Sequence, residues 1–386
     1  MEVVEELKSS EKMLALRAAA MHVPFAGTFE LTPVCNMNCR MCYIHTSPKT
    51  MESQGRILTA EEWIKIASEA RDNGLLYLLL TGGEPFLYPE FDKLYAWLGM
   101  SGIVVMLNTN GTMLTKERAD LLLKYPPRKV NISLYGASER TYEEVCRWGM
   151  GFERTLNAVR LLKERDIPVK LNCSLTPLNY RDLEKMHRIA DKLDVPFQVT
   201  PYMFPPVRKN GIDVADFIRF EPEEAARMVI ENAKISFHDN QLYQEWVDSK
   251  LSEYEVYKQN PYMNREYGFT CFASKNNFWI TWKGEMLPCG MLNQPGENVL
   301  KKGFAESWEK IGELGKHIHN PHKCCACKMR PLCNVCSAAS LAETGVVDGS
   351  PQYLCRMTEA FLKLLEQEAT FENFMKRENL VAKDNN

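Results

Sequence analysis

Pro33-Val34-Cys35-Asn36-Met37-Asn38-Cys39-Arg40-Met41-Cys42-Tyr43 is the stretch on which the reading of this chain turns. It sets three cysteines in the spacing C-x3-C-x2-C directly after a strand-like run, Thr28–Thr32. Three closely spaced thiolates can hold three irons of a cubane cluster and leave the fourth iron without a protein ligand. A structural metal site closes its coordination sphere, whereas a catalytic one keeps a position free. The competing readings are a zinc site or scattered core cysteines. Structural zinc favours C-x2-C pairs, and no second pair lies nearby in the N-terminal half.

Outward from that loop, short apolar runs alternate with helical stretches. The runs Thr28–Thr32, Leu75–Leu80, Ile103–Asn108, Lys129–Leu134, Val169–Leu175 and Phe197–Thr200 are predicted strands. Thr59-Ala60-Glu61-Glu62 reads as a capping box opening a helix to about Asn73, and Thr115 as the cap of the next. Phe152–Arg165 and Tyr180–Leu193 complete the helical set. Six strand–helix units predict an α/β fold with a parallel sheet and right-handed crossovers. Chemistry in such barrels gathers at the C-terminal ends of the strands.

Three motifs fall at those ends. Strand two runs into Thr81-Gly82-Gly83-Glu84-Pro85, strand three into Asn108-Thr109-Asn110-Gly111, and strand four into Ser133-Leu134-Tyr135-Gly136. Glycines let a backbone approach a ligand closely, and Glu84 can accept hydrogen bonds from an ammonium group. Each motif alone has a plainer meaning: a tight turn, an Asn-Gly turn, a small donor at a strand end. Their joint placement beside the cysteine loop gives the signal its weight.

The cysteine spacing and the Gly82-Gly83-Glu84-Pro85 motif together resemble the radical S-adenosylmethionine (SAM) enzymes. The resemblance implies a partial (β/α)6 TIM-like barrel, and a [4Fe–4S] cluster on Cys35, Cys39 and Cys42 whose open iron chelates SAM. Reductive cleavage would then give methionine and a 5′-deoxyadenosyl radical that takes hydrogen from substrate. It further implies Gly82, Gly83 and Glu84 at the SAM amino group, Asn110 in the family's TNG turn and Ser133 on the ribose. Arg147 would approach the SAM carboxylate, and Met41 would lie against adenine. Arg147 reads equally well as an exposed helix arginine. Cys146 and Cys173 fit no ligand spacing and read as small core residues.

The second cysteine field runs C…G-x4-C…C-x2-C-x5-C-x2-C…C, through Cys271, Cys289, Cys324, Cys327, Cys333, Cys336 and Cys355. It resembles the SPASM extension of radical SAM enzymes, which carries two auxiliary [4Fe–4S] clusters. On that pattern Cys324, Cys327, Cys333 and Cys355 hold one cluster, and Cys271, Cys289 and Cys336 the other. The last spacing is x2 here where x3 is usual, which leaves the partition open. The fourth position of the three-cysteine set is open to Cys325, to a non-cysteine side chain or to substrate. C-x2-C twice over is also a zinc signature, but the flanking Cys271, Cys289 and Cys355 make it awkward for zinc. His317, His319 and His322 read as a polar loop before a metal site, and Phe278, Trp279 and Trp282 as strand-like core packing.

Composition agrees. The chain has 386 residues, 45% hydrophobic and 25% charged, with a net charge of −3. This suits a globular protein with one large and one smaller domain. No basic run points to nucleic acid, and the patch Met13–Met21, broken by Arg17, is too short to span a membrane. Thirteen cysteines without a secretion signal fit iron–sulfur ligation in a reducing cytosol better than disulfides. The expected organisation is an extension (1–27), the partial barrel (28–215), a connector (216–265), the SPASM domain with a closing helix Met357–Phe374 (266–378) and a polar tail (379–386).

By resemblance, the expected activity is oxidative modification of a peptide or protein, by crosslinking or dehydrogenation, with flavodoxin or ferredoxin as reductant. The alternative is a small-molecule reaction, such as haem-pathway decarboxylation or alcohol or sugar oxidation. Only 34 residues precede Cys35, so a separate recognition protein, or none, is expected. Gly290 stands after Cys289, where sulfatase-maturing enzymes carry an aspartate base, which argues against that activity.

Overall fold

The computed structural model describes residues 9–206, 208, 217–259, 271–292 and 296–369. Parts of the connector, the end of the expected closing helix and the polar tail lie outside the described residues. Nine strands form one sheet: β1 Ala26–Glu30, β2 Tyr77–Thr81, β3 Val104–Thr109, β4 Lys129–Ser133, β5 Val169–Ser174, β6 Phe197–Thr200, β7 Asn277–Ile280, β8 Glu285–Leu287 and β9 Glu297–Asn298. Their order is β6-β5-β4-β3-β2-β1-β7-β8-β9. Strands β1 to β6 are all parallel, and the six predicted runs each fall on one of them. The α/β expectation with an open parallel sheet is met.

Alternation along each strand sorts residues between two faces. Phe29, Leu78, Leu80, Val105, Leu107, Val130, Ile132 and Leu171 pack outward against helix residues such as Trp63, Ile66, Leu94, Leu122, Leu162 and Met186. The inner face begins apolar: Ala26, Tyr77, Leu79 and Met106 join Ala15, Ala18 and Phe25 in a second cluster. The helix Ser9–Ala20 thus closes the N-terminal end of the strands, tied by Tyr77 and Arg128 to Glu11 at 2.6 and 2.7 Å. Toward the C-terminal ends the inner face turns polar, with Glu30, Thr81, Asn108, Asn131, Ser133, Asn172 and Ser174.

Local signals explain the helices. Thr59 and Glu62 form the reciprocal capping box, with Glu62 N–H to Thr59 Oγ1 at 3.2 Å and Thr59 N–H to Glu62 Oε2 at 2.8 Å. Thr115 caps Lys116–Lys124. The expected helix Tyr180–Leu193 starts as a 3-10 turn, Tyr180–Asp182, and becomes α-helical at Leu183.

The connector and the C-terminal half hold more order than their sequence suggested. Asn240–Gln259 is a 20-residue helix that buries Tyr243, Val247 and Leu251, one turn apart, against Phe361 and Leu365. Strand β7 pairs in parallel with β1, extending the barrel sheet. Phe278 faces outward there, and its ring fills the space a Cβ at Gly27 would need. Among the described residues no helix is long and apolar enough to cross a membrane.

Candidate functional site

The loop after β1 carries Cys35, Cys39 and Cys42 with no regular element of its own. Backbone bonds fix it. Asn38 and Arg40 N–H groups donate to the carbonyls of Cys146 and Val145 at 3.1 and 3.0 Å. The Gly83 and Glu84 N–H groups donate to Thr32 and Val34 carbonyls at 2.6 and 2.9 Å. Two sulfurs already accept backbone N–H groups: Cys35 from Met37 at 3.4 Å and Cys42 from His45 at 3.2 Å. Burial pushes the Cys35 thiol well up, and the charges of Glu84, Cys39 and Cys42 push the same way. A bound cation would reverse that balance and hold the sulfurs as thiolates.

The glycines of the second motif have a local cause. A Cβ at Gly82 would stand 2.5 Å from the Thr32 carbonyl oxygen, and one at Gly83 would stand 2.4 Å from that of Val34. They let two backbones meet, seating this turn on the cysteine loop. Glu84 is fully buried and accepts from Thr109 Oγ1 at 2.7 Å, Asn110 N at 2.8 Å and Phe86 N at 3.1 Å. Burial pushes its carboxyl up to about 7 despite those bonds. A carboxylate has about four acceptor sites, so one is left for a further donor.

Asn110 links the third motif to the first. Its Nδ2 donates to Asn36 Oδ1 at 3.0 Å and reaches Cys35 Sγ at 3.5 Å, while its Oδ1 accepts from Thr112 N at 2.9 Å. Ser133 ends β4, two residues before Tyr135. Met41 is buried in the main apolar core. Arg147 is exposed, in a left-handed turn (φ 58°) that ends the helix Glu139–Cys146 next to the loop's Cys146 anchor. Cys146 and Cys173 are buried core residues.

The later cysteines lie in two groups. Cys271 and Cys289 act on Cys336, and Cys271 acts on Cys289. Cys333, Cys355 and Cys327 act on Cys324, and all four line one small hollow with Arg330 and Leu354. Burial pushes Cys324 and Cys336 up to about 11. Cys289 and Cys336 also accept backbone N–H groups, from Met291 and Ala339, each at 3.4 Å. Among the described residues no three His, Cys, Asp or Glu side chains close around a single ion. The donor chemistry (cysteine-only groups of three, three and four, with N–H groups aimed at sulfur) fits iron–sulfur clusters. The Cys325 thiol points to the Pro321 carbonyl at 3.5 Å. His317, His319 and His322 are all exposed.

Two features escaped the sequence reading. Glu30, fully buried in β1, pairs with both guanidinium nitrogens of Arg208 and accepts from Trp279 Nε1 at 2.9 Å. Tyr43 lies close enough to feel Glu30, Arg208, Cys42 and Cys289 together, so it neighbours one cysteine of the first set and one of the second. The Trp279 ring covers Gly290, the neighbour of Cys289. Tyr135 is the other: it feels Cys39 and Cys42 and lines a cavity over β5 and β6. The lone acid in Ala26-Gly27-Thr28-Phe29-Glu30 was the available signal for the first feature. A hollow of about 830 Å³ lies along β5 and β6, with Lys129, Lys163 and Lys170 in its lining.

Residues 29–190 match the family described as the Radical SAM superfamily. The chain is 25% identical over 339 residues to the AdoMet-dependent heme synthase of Methanosarcina barkeri (strain Fusaro / DSM 804), covering 85% of this chain and 95% of that one. It is 27% identical over 292 residues to the Bacillus subtilis (strain 168) antilisterial bacteriocin subtilosin biosynthesis protein AlbA, covering 75% and 59%. In fold it resembles native anSMEcpe with bound AdoMet (TM-score 0.65, 18% identity, 93% and 100% covered). It likewise resembles Streptococcus suis SuiB bound to S-adenosylmethionine (TM-score 0.64, 17% identity, 90% and 81% covered). Residues 29–190, which carry the open parallel sheet and the C-x3-C-x2-C loop at its C-terminal rim, are thus similar to the Radical SAM superfamily, and the chain as a whole is similar in fold to anSMEcpe and SuiB.

Proposed function

We propose that Cys35, Cys39 and Cys42 hold the SAM-binding [4Fe–4S] cluster, that the two later cysteine groups hold auxiliary [4Fe–4S] clusters, and that the enzyme oxidatively modifies a peptide or protein. The observation that carries this reading is the three separate cysteine groups, with Tyr43 near both Cys42 of the first and Cys289 of the second. A reduced cluster held by Cys35, Cys39 and Cys42 would supply the electron that splits SAM into methionine and a 5′-deoxyadenosyl radical.

The chain's own residues set up that step. The turn Gly82–Glu84 presents one remaining carboxylate acceptor site for the SAM ammonium. Asn110 steadies Cys35, Ser133 offers a hydroxyl at the end of β4, and Arg147 offers a cation on the rim. The apolar plug from Ser9–Ala20 keeps water from the floor of the barrel, which protects a reactive radical. Glu30 holds Arg208 and Trp279, and Tyr43 lies near Glu30 and Arg208 as well as near Cys42 and Cys289, so these four residues would set the polarity beside the first and second cysteine groups. Flavodoxin or ferredoxin supplies reducing equivalents.

The peptide reading draws on relatives named for peptide products: AlbA, and the PqqA peptide cyclase of Bradyrhizobium diazoefficiens, 27% identical over 177 residues. A second reading, a small-molecule reaction, is favoured by the heme synthase match, which spans 95% of that relative. The test is anaerobic reconstitution followed by a 5′-deoxyadenosine assay with candidate peptides. About twelve irons per chain are expected for three four-iron clusters. A count near four, with zinc in the remaining sites, would overturn the auxiliary-cluster assignment.

A further inference from the structure

The third cysteine group lies in a segment that carries cations and no acid. Between Glu313 and Glu343 stand Lys316, Lys323, Lys328 and Arg330, with His317, His319 and His322 among them, and no Asp or Glu. The chain as a whole has a net charge of −3. Lys316, Lys323, Lys328 and the three histidines are all exposed. Lys316 is paired with Glu313, whereas Lys323 and Lys328 have no carboxylate partner among the described residues. Arg330 is buried, and its Nη1 donates to the Cys333 carbonyl at 2.9 Å, which fixes a further positive charge beneath the face.

This face runs close over the cysteines. Cys327, Cys333 and Cys355 are half-buried. Lys323, Ala326, Lys328 and Asn334, the chain neighbours of Cys324, Cys327 and Cys333, are exposed. Solvent therefore begins one residue, about 3.8 Å along the chain, from three of the four cysteines. Lys323 also lies close enough to Cys355 to act on it, as does Glu359, one turn further along the same helix.

The character of the face selects the class of partner. None of the large exposed apolar side chains falls between residues 313 and 343, Val346 being the nearest in sequence. Lasting partners bury apolar area, whereas passing electron-transfer encounters are small and guided by charge. Opposite charge also concentrates such encounters in front of the group that is to be reached.

We propose that this face, around Lys323 and Lys328, docks an acidic one-electron carrier protein. The inference rests on the proposed function and deepens it by giving the reductant a place to bind. In the docked pair the reduced carrier loses one electron and the cluster held by Cys324, Cys327, Cys333 and Cys355 gains it, with no bond made and no proton moved.

The test is surface plasmon resonance of the anaerobic reconstituted protein against flavodoxin (an acidic carrier), cytochrome c (a basic one) and a single-stranded oligonucleotide. Flavodoxin is expected to bind best and to be released at about 0.5 M salt, where the Debye length is only a few ångströms. The charge reversal Lys323→Glu, Lys328→Glu is expected to weaken it about tenfold with iron content unchanged. Lys124→Glu, Lys192→Glu, at exposed helix ends before β4 and β6, is expected to leave it as it was. Stopped-flow reduction by flavodoxin hydroquinone should slow in the first variant, while reduction by methyl viologen radical, which needs no docking face, should not. Slowing of both would assign the lysines to the cluster itself and overturn the proposal. So would flavodoxin binding indifferent to salt or to the charge reversal, or tighter binding of cytochrome c or the oligonucleotide. Protein with about four irons that still binds flavodoxin through Lys323 and Lys328 contradicts the auxiliary clusters and supports the docking face. Protein with about twelve irons whose flavodoxin binding ignores the charge reversal does the opposite.

Discussion

The loop after β1 and the segment from residue 318 to 355 both exist to present cysteines, yet they are held in opposite ways. The first loop rests on the main apolar core, with Met37 and Met41 buried in it and backbone hydrogen bonds that tie it to its neighbours and to itself. The later segment packs mostly into small apolar clusters, Ile318 and Ala338 with Ala273 and Leu292 on one side and Cys324, Val335, Ala339 and Leu354 on the other, while Leu332 joins the helix cluster around Phe361. Short pieces such as His322–Cys325 and Arg330–Leu332 cannot fold on propensity alone. The comparison teaches that the barrel would support a cluster on its loop, whereas auxiliary clusters would support their own domain.

The largest effect that could break this contrast is on SAM cleavage. Cys39→Ala is expected to bring 5′-deoxyadenosine formation below detection and to remove about four irons per chain, with circular dichroism unchanged. Retained turnover would refute the ligand role of Cys39. Cys333→Ala sharpens the other side. It is expected to remove about four irons as well and to open residues 318–355 to limited proteolysis, while amides of β1 to β5 stay protected from exchange. Uniform loss of protection across the chain would show that the two regions fold as one.

Between the regions stands Glu30. Its side chain is 0% exposed and that of Arg208 is 11% exposed. Glu30→Gln leaves a nearly buried guanidinium without its counter-charge, expected to cost about 3 kcal/mol in denaturant unfolding. A Glu30→Met, Arg208→Met double variant is expected to recover most of that loss. Gly83→Ala, whose Cβ would meet the Val34 carbonyl, is expected to cost about 2 kcal/mol and to loosen the cysteine loop, read as faster iron loss to a chelator. The smallest effect belongs to a helix cap remote from both sites. Thr59→Ala should lower stability by about 1 kcal/mol with iron content unchanged.

How much of this was legible in the sequence follows the same divide. The six barrel strands and the Thr59 and Thr115 caps were legible because period-two runs and side-chain caps are local signals. Strand β7 was read as strand-like, but its pairing with β1 was not, because register between segments some 250 residues apart leaves no local trace. The roles of Gly82 and Gly83 were visible only as permissive backbone, since the carbonyls they meet belong to another loop. Trp279 read as core packing, and Tyr43 and Tyr135 carried no signal of their own; only folding places the three near cysteines. Arg208 gave no signal at all, because its partner lies on β1.

The central claim is a vacant coordination position on a cluster held by Cys35, Cys39 and Cys42. Electron paramagnetic resonance of the anaerobic, dithionite-reduced protein tests it directly, recorded before and after addition of SAM. The account predicts that one reduced-cluster signal shifts with SAM and that this signal is missing from Cys39→Ala. Spectra that superimpose with and without SAM would contradict it.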